Sequence, residues 1–137
     1  MNTYTYEELS VGMKESFQVT LTQEMQDLFL QITGDENPLH RSAEYAKNKG
    51  YEDRVVYGLL TSSFLSTLAG MYLPGERSLI HSVETKYQKP VYIGDTLTIE
   101  GEIEEKNDTY ELIRIKILIR NQKGEKVVKG RMQVGVA

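Results

Sequence analysis

The sequence predicts an α+β fold in which one antiparallel sheet curls around a single buried helix. Residues 58–71, GLLTSSFLSTLAGM, form a helical segment that is apolar on nearly every side, which is typical of a helix enclosed by other structure. Three later runs, residues 96–104, 114–120 and 128–136, alternate apolar and polar residues as half-buried strands do. Because turn residues separate these runs, the strands form a meander and not a parallel α/β sheet.

The N-terminal half adds one strand and two further helical segments. Residues Lys14–Thr20 are the first strand candidate, and a helix follows that should end near Gly34, because Pro38 and its preceding asparagine exclude helical geometry. Residues Ala43–Asn48 form a short helix or turn. The apolar positions of the first helix are Met25, Leu28, Phe29 and Ile32.

Size and composition exclude several classes of protein. The 137 residues suit one compact domain, residues 1–137. The absence of cysteine excludes disulfides, Cys nucleophiles and thiolate metal sites, and it agrees with the cytoplasmic location that we expect. The net charge of -4 argues against nucleic acid as the main partner. No apolar run is long enough to cross a bilayer and no signal peptide is recognisable, so we expect no membrane insertion.

The segment of residues 32–40, ITGDENPLH, carries the candidate chemistry. A flexible Gly34 precedes Asp35, and a rigid Asn37-Pro38 pair precedes His40. In a kinked, non-helical segment the carboxylate and the imidazole can converge on one water, one accepting a proton and the other supplying one. The spacing alone is more typical of a helix stop followed by an Asx turn, with the histidine on the surface.

The whole pattern resembles the signature of the MaoC-like family, the (R)-specific enoyl-CoA hydratases and related dehydratases. The resemblance continues through residues 55–60 (VVYGLL), 73–75 (LPG) and 89–95 (KPVYIGD), and it covers nearly the whole chain. It implies a hot-dog fold, in which the sheet wraps the helix of residues 58–71, and a homodimer or an assembly of dimers. It also implies a lyase of fatty-acid metabolism that hydrates a trans-2-enoyl thioester or catalyses the reverse dehydration.

The resemblance implies a role for each site residue. Asp35 and His40 would hold the reactive water; His40 would take its proton as oxygen adds to C3, and Asp35, or the coupled pair, would protonate C2. The Gly58 N–H, at the start of the buried helix, would bind the thioester oxygen, unless this glycine serves only a tight turn. Ser66 would hydrogen-bond the catalytic carboxylate, and Asn37 is placed with Gly58 and Ser66 among the substrate-binding residues.

Gly58 and Ser66 belong to a stripe of small residues that also contains Ser62 and Ala69. Such a stripe admits a thioester, a strand or a second copy close to the helix axis, and we assign packing to Ser62. Many family members carry His-Gly where this chain has Tyr57-Gly58, which leaves the orientation of the pocket and the acyl-chain preference open.

Other residues receive no catalytic role. His81 is expected in a strand on the face shared by Leu79 and Val83, either packed or at the edge of a pocket. With two histidines and no cysteine, we expect no metal site and no cofactor. The basic residues Arg54, Lys86 and Lys89 could meet CoA phosphates or an acidic acyl carrier protein, although solvated charge is their default interpretation.

The sequence leaves the substrate carrier open between CoA and an acyl carrier protein. Two other functions also stay open: a hot-dog acyl-CoA thioesterase and a non-catalytic acyl-thioester-binding hot dog. The spacing of Asp35 and His40 favours the hydratase over the thioesterase, and the presence of both residues counts against a mere binding protein.

Overall fold

The computed structural model describes residues 1–137 and has a five-stranded antiparallel sheet packed against one central helix. The four α-helices are α1 (Gln23–Thr33), α2 (Pro38–Arg41), α3 (Ala43–Asn48) and α4 (Gly58–Thr67). The five strands are β1 (Lys14–Thr20), β2 (Ser78–Tyr87), β3 (Thr96–Asn107), β4 (Leu112–Arg120) and β5 (Lys126–Val136). A 3₁₀ turn spans Tyr6–Glu8, and a π-helical turn, Leu68–Tyr72, continues α4.

The strand order is β1-β3-β4-β5-β2, and every neighbouring pair is antiparallel. The predicted meander is therefore confirmed: β3, β4 and β5 follow one another in the sheet, while β1 pairs with β3 and β2 pairs with β5. One edge of β2 has no partner strand. Alternate residues of β4 point to the concave face, where they are fully buried: Ile113, Ile115, Ile117 and Ile119.

The central helix lies on that concave face. Leu65, Leu68 and Ala69 are fully buried between the helix and the sheet. Gly101 of β3 permits this close approach, because a Cβ at that position would lie 2.9 Å from a Leu68 methyl carbon. The opposite face of α4 is exposed in the single chain, and Leu59 is 68% exposed there. The predicted helix of residues 58–71 is thus enclosed on the side that faces the sheet.

Two caps fix the ends of α1. The Thr22 hydroxyl accepts a hydrogen bond from the Met25 N–H at 3.2 Å, and Gly34 ends the helix with a φ of 70°. The predicted end near Gly34 is confirmed. No helix of the structure has the length and apolar character to span a membrane.

The prediction that the chain is non-helical between Asp35 and His40 is wrong for its second part, which forms α2. Proline fits the first position of a helix because the N–H that it lacks would have no intrahelical partner there. The Asn37 side chain caps this short helix by accepting a hydrogen bond from the Leu39 N–H at 3.0 Å. α2 therefore presents His40 from a helical turn and not from an irregular loop.

Candidate active site

A pocket of about 300 Å³ opens at the N-terminal end of α4. This volume is at the lower end of the range of small-molecule sites in proteins. His40, Gly58 and Thr61 supply its polar groups near the helix start, and Tyr87 lines it from β2. The apolar lining comes mainly from Val55, Val56, Pro90, Val91 and Val128.

His40, at the end of α2, has a defined orientation. Its Nδ1 lies 2.7 Å from the Val55 carbonyl oxygen. Because a carbonyl oxygen can only accept, Nδ1 carries a proton, and in the neutral imidazole Nε2 has a free lone pair. The ring is half-buried and lines the pocket, so the structure presents a proton acceptor at the pocket wall.

Asp35 lies in the exposed loop between α1 and α2. Its Oδ1 accepts a hydrogen bond from the Asn37 N–H at 3.0 Å, which is the Asx turn of the alternative interpretation. No hydrogen bond joins its carboxylate to His40, and Asp35 does not line the pocket. The two residues meet instead on one intervening side chain, Tyr57.

Tyr57 contacts both candidate residues and is 2% exposed. Its hydroxyl donates to the Asp35 carbonyl oxygen at 2.5 Å, and its ring centroid lies 4.2 Å from that of His40. Burial, followed by the negative charge of Asp35, raises the pKa of Tyr57 above its ordinary value of 10.0. The phenol therefore remains protonated, and a donor, at neutral pH.

Gln26 of α1 is a buried side chain that the sequence interpretation missed. Its amide nitrogen donates to the carbonyl oxygens of His40 and Val55 at 3.2 Å each. Its amide oxygen accepts the Tyr57 N–H at 3.3 Å. The same glutamine thus holds the histidine backbone, the carbonyl that orients the imidazole, and the residue before Gly58. The sequence did contain a signal for Gln26. It lies three residues before Phe29, on the apolar face of the helix, and a polar side chain buried there needs hydrogen-bond partners.

Gly58 is the first residue of α4, and its N–H makes no hydrogen bond within the chain. Free donors at a helix start favour an anionic oxygen. The glycine also permits close packing of Tyr87, because a Cβ at position 58 would lie 3.0 Å from that ring. One turn further along, the buried Thr61 hydroxyl also lacks a partner and lines the pocket. Sequence reasoning missed Thr61, which lies within an apolar run.

The remaining predicted residues lie outside this cluster. Ser66 is exposed on the open face of α4 and makes no side-chain hydrogen bond, so the single chain does not bring it to Asp35. The Asn37 side chain serves as the cap of α2. The Ser62 hydroxyl lies 2.7 Å from that of Tyr87, which fits the packing role assigned to it.

His81 and Lys89 have ordinary surroundings. His81 lies exposed at the bulge of β2, where its Nδ1 is 3.1 Å from the Gln133 amide nitrogen, and it does not line the pocket. Lys89 lines the pocket but pairs with Glu125 at 2.6 Å. No group of three or more His, Asp or Glu side chains is placed to hold a metal ion.

The family model described as the MaoC like domain matches residues 8–123. A 3-hydroxybutyryl-CoA dehydratase of Methylorubrum extorquens is 32% identical over 73% of this chain and 64% of its own length. An (R)-specific enoyl-CoA hydratase of Rhodospirillum rubrum is 31% identical over 68% and 65%. One of Aeromonas caviae is 30% identical over 77% and 79%. The matched region thus spans slightly less than two thirds of the first two relatives.

Solved structures extend the similarity to the whole fold. The unliganded R-hydratase PhaJ1 of Pseudomonas aeruginosa superimposes with a TM-score of 0.90 at 30% identity, covering 98% of this chain and 86% of that one. The (R)-hydratase of A. caviae gives 0.91 at 27% identity, covering 96% and 99%. With a family match over most of its length and a shared architecture, the chain belongs to the MaoC-like family and has the hot-dog fold.

Proposed function

We propose that this protein is a lyase that adds water to trans-2-enoyl thioesters with (R) stereochemistry, or removes it from the corresponding 3-hydroxyacyl thioesters. One observation carries the proposal: an imidazole with a free Nε2 and a helix-start N–H without a partner line the same small pocket. The first is a base for water, and the second is a donor for a thioester oxygen. The names of the hydratase and dehydratase relatives support the same reaction.

In the proposed reaction, His40 Nε2 accepts a proton from water as the oxygen forms its bond to C3. The electrons of the double bond move toward the thioester carbonyl, whose oxygen gains negative charge and accepts a hydrogen bond from the Gly58 N–H. A proton is then delivered to C2 by Asp35 or by the coupled Asp35/His40 pair, and the proton that His40 took from water replaces it, so the pair returns to its starting protonation state. One water is consumed, and the dehydration follows the same steps in reverse.

The small pocket supports a short acyl chain, and we propose crotonyl thioesters as the first substrates to test. CoA is the carrier that we favour, because the relatives with the longest matched regions are named for CoA substrates. An acyl carrier protein stays the alternative. The cytoplasmic location and the independence from any cofactor stay predictions from the sequence.

We also propose that the active form is a homodimer. The free edge of β2 offers unpaired backbone groups, and the apolar side chains Leu79 and Val83 are exposed on that strand. The exposed face of α4 carries Leu59 and Ser66, and Met71 is exposed in the π-helical turn that continues the helix. A second copy that covered this face would enclose Ser66, which is the condition under which its predicted role near the substrate could be met.

The purified chain with crotonyl-CoA tests the reaction class. Loss of the enoyl absorbance without release of free thiol is the expected result. Thiol release would replace the proposal with a thioesterase, and tight binding without either change would replace it with a non-catalytic binding protein. The same assay with crotonyl-acyl carrier protein compares the two carriers.

A further inference from the structure

Tyr57 joins the exposed acidic loop to the half-buried histidine. Its hydroxyl donates to the Asp35 carbonyl oxygen at 2.5 Å, while its ring packs against the His40 imidazole at a centroid distance of 4.2 Å and an interplanar angle of 30°. We infer that Tyr57 is a positioning residue that sets the Asp35 loop relative to His40 for the proposed hydration. The inference rests on the proposed function and names a residue that acts through these two groups.

The hydroxyl of Tyr57 makes the one hydrogen bond between residues 34–37 and a distant part of the fold. The other hydrogen bonds of this loop are local: the Asp35 N–H donates to the Thr33 hydroxyl at 3.2 Å, and the Asn37 N–H donates to Asp35 Oδ1 at 3.0 Å. Gly34, in left-handed geometry, adds no side chain that could pack. Local bonds define the shape of the turn, and the Tyr57 bond ties it to the residue that precedes Gly58 and packs against His40.

The ring of Tyr57 is itself held firmly. Phe29 of α1 packs on it at a centroid distance of 4.8 Å, and the Tyr57 N–H donates to the buried Gln26 side chain. A tyrosine fixed at both its backbone and its ring can transmit that fixed position to the groups it touches. Gly58 follows Tyr57 directly in the chain. The Gly58 N–H, the His40 imidazole and the Asp35 loop are therefore all positioned by contact with, or covalent connection to, Tyr57.

The phenol suits this role better than a shorter ring. Only its terminal oxygen reaches the Asp35 carbonyl, and the raised pKa of Tyr57 keeps that oxygen protonated as a donor. A histidine at this position, as in the family pattern noted above, would retain a ring beside His40 but would be too short for the same bond. Tyr57 therefore anchors the Asp35 loop. With a histidine at this position, only the local hydrogen bonds of the loop would remain.

The Tyr57→Phe variant tests the hydroxyl alone, because it keeps the ring. We expect kcat for crotonyl-CoA hydration to fall about three- to tenfold, the effect of one lost hydrogen bond, with KM changed by less than about twofold. Tyr110→Phe is the matched control, since that ring is 74% exposed and its hydroxyl has no partner; it should retain full kcat. An unchanged kcat in Tyr57→Phe would overturn the inference.

A double-mutant cycle with Asp35→Asn separates positioning from general stability. If Tyr57 acts through Asp35, Tyr57→Phe should cause no further loss of kcat in the Asp35→Asn background. The same fold-loss in both backgrounds would show a merely structural role and overturn the inference. Full activity of Asp35→Asn alone would refute the catalytic role of Asp35 and with it the inference, whereas a wild-type chain that hydrates no crotonyl-CoA would refute the proposed function. If Tyr57→Phe proves unfolded by circular dichroism, Tyr57→His makes the same comparison.

Discussion

At the scale of single residues, the geometry of the site depends on the buried, fully hydrogen-bonded amide of Gln26. Gln26 is 3% exposed and makes three hydrogen bonds, to the backbones of His40, Val55 and Tyr57. A buried amide without those partners would be costly, which gives the arrangement a single low-energy geometry. The Val55 carbonyl, held by Gln26, in turn selects the tautomer of His40 that leaves Nε2 free.

Substitution of the proposed dyad should remove activity and leave the fold intact. Asp35 is exposed and His40 is half-buried, so Asp35→Asn and His40→Gln should fold normally. Each should lower the rate of crotonyl-CoA hydration by about two to four orders of magnitude, the usual range for a positioned acid or base. The double variant should be little worse than the worse single one, because both residues act on one water.

Initial rates at saturating substrate measure this loss, and circular dichroism checks the fold. His81→Gln is the control for His40→Gln, because His81 is exposed and lies outside the pocket. It should retain full activity. Full activity in either dyad variant would refute the assignment of that residue.

The sequence predicted Asp35, His40 and Gly58 because they belong to one contiguous or well-spaced pattern. Of these, His40 and Gly58 line the pocket. Asp35 does not line it and is connected to the other two only through its hydrogen bond with Tyr57. Gln26 and Thr61 were not predictable in the same way. Each is a buried polar residue inside an apolar helical face. The partners of Gln26 come from distant segments that no local pattern identifies, and the Thr61 hydroxyl has no partner in the chain.

At the scale of the elements, the half-buried strands were predicted closely, whereas α2 and the π-helical turn were not predicted. Three runs predicted at residues 96–104, 114–120 and 128–136 agree with β3, β4 and β5 to within three residues, because one face of each strand is buried and the alternation is clear. α2 was missed because a proline in the sequence indicates a helix end as readily as a helix start. The π-helical turn after Thr67 has no sequence signal that we recognise.

The pairing of β2 with β5 depends on a glycine, and its substitution tests the sheet. A Cβ at Gly130 would lie 2.1 Å from the Glu84 carbonyl oxygen, which is backbone and cannot rotate away. Gly130→Ala should therefore lower the free energy of unfolding by about 1–3 kcal/mol, as overpacking commonly does. Urea denaturation at a fixed protein concentration measures the change.

Gly70→Ala is the matched control, because its added Cβ would meet only the Ser78 hydroxyl at 3.9 Å. It should leave the free energy of unfolding nearly unchanged. An equal loss of stability in both variants would contradict the argument from close strand pairing at Gly130.

At the scale of the whole molecule, the free edge of β2 and the exposed face of α4 predict a homodimer. Exposed apolar side chains on both elements, Leu59 at 68% and Leu79 at 61%, would be buried by a second copy. Light scattering coupled to gel filtration should give about twice the 15.7 kDa chain mass. Leu79→Lys should shift the protein toward the single-chain mass and lower its activity.

Val11→Lys provides the control for that substitution, because Val11 is similarly exposed, at 62%, but directly precedes β1, the strand at the opposite edge of the sheet from β2. It should leave the mass unchanged. A fully active wild-type protein at the single-chain mass would contradict both the dimer and the dependence of the site on it.

The stereochemistry of the product tests the central claim most directly. His40 and Gly58 occupy fixed positions on the pocket wall. When the thioester oxygen is bound at the helix start, water held by the imidazole can therefore reach only one face of C3. This arrangement predicts a single enantiomer, and the proposed function assigns it the (R) configuration. Chiral chromatography of the hydration product of crotonyl-CoA should therefore show the (R)-3-hydroxybutyryl thioester alone. The (S) enantiomer, a racemic mixture or the absence of any hydration product would contradict the account.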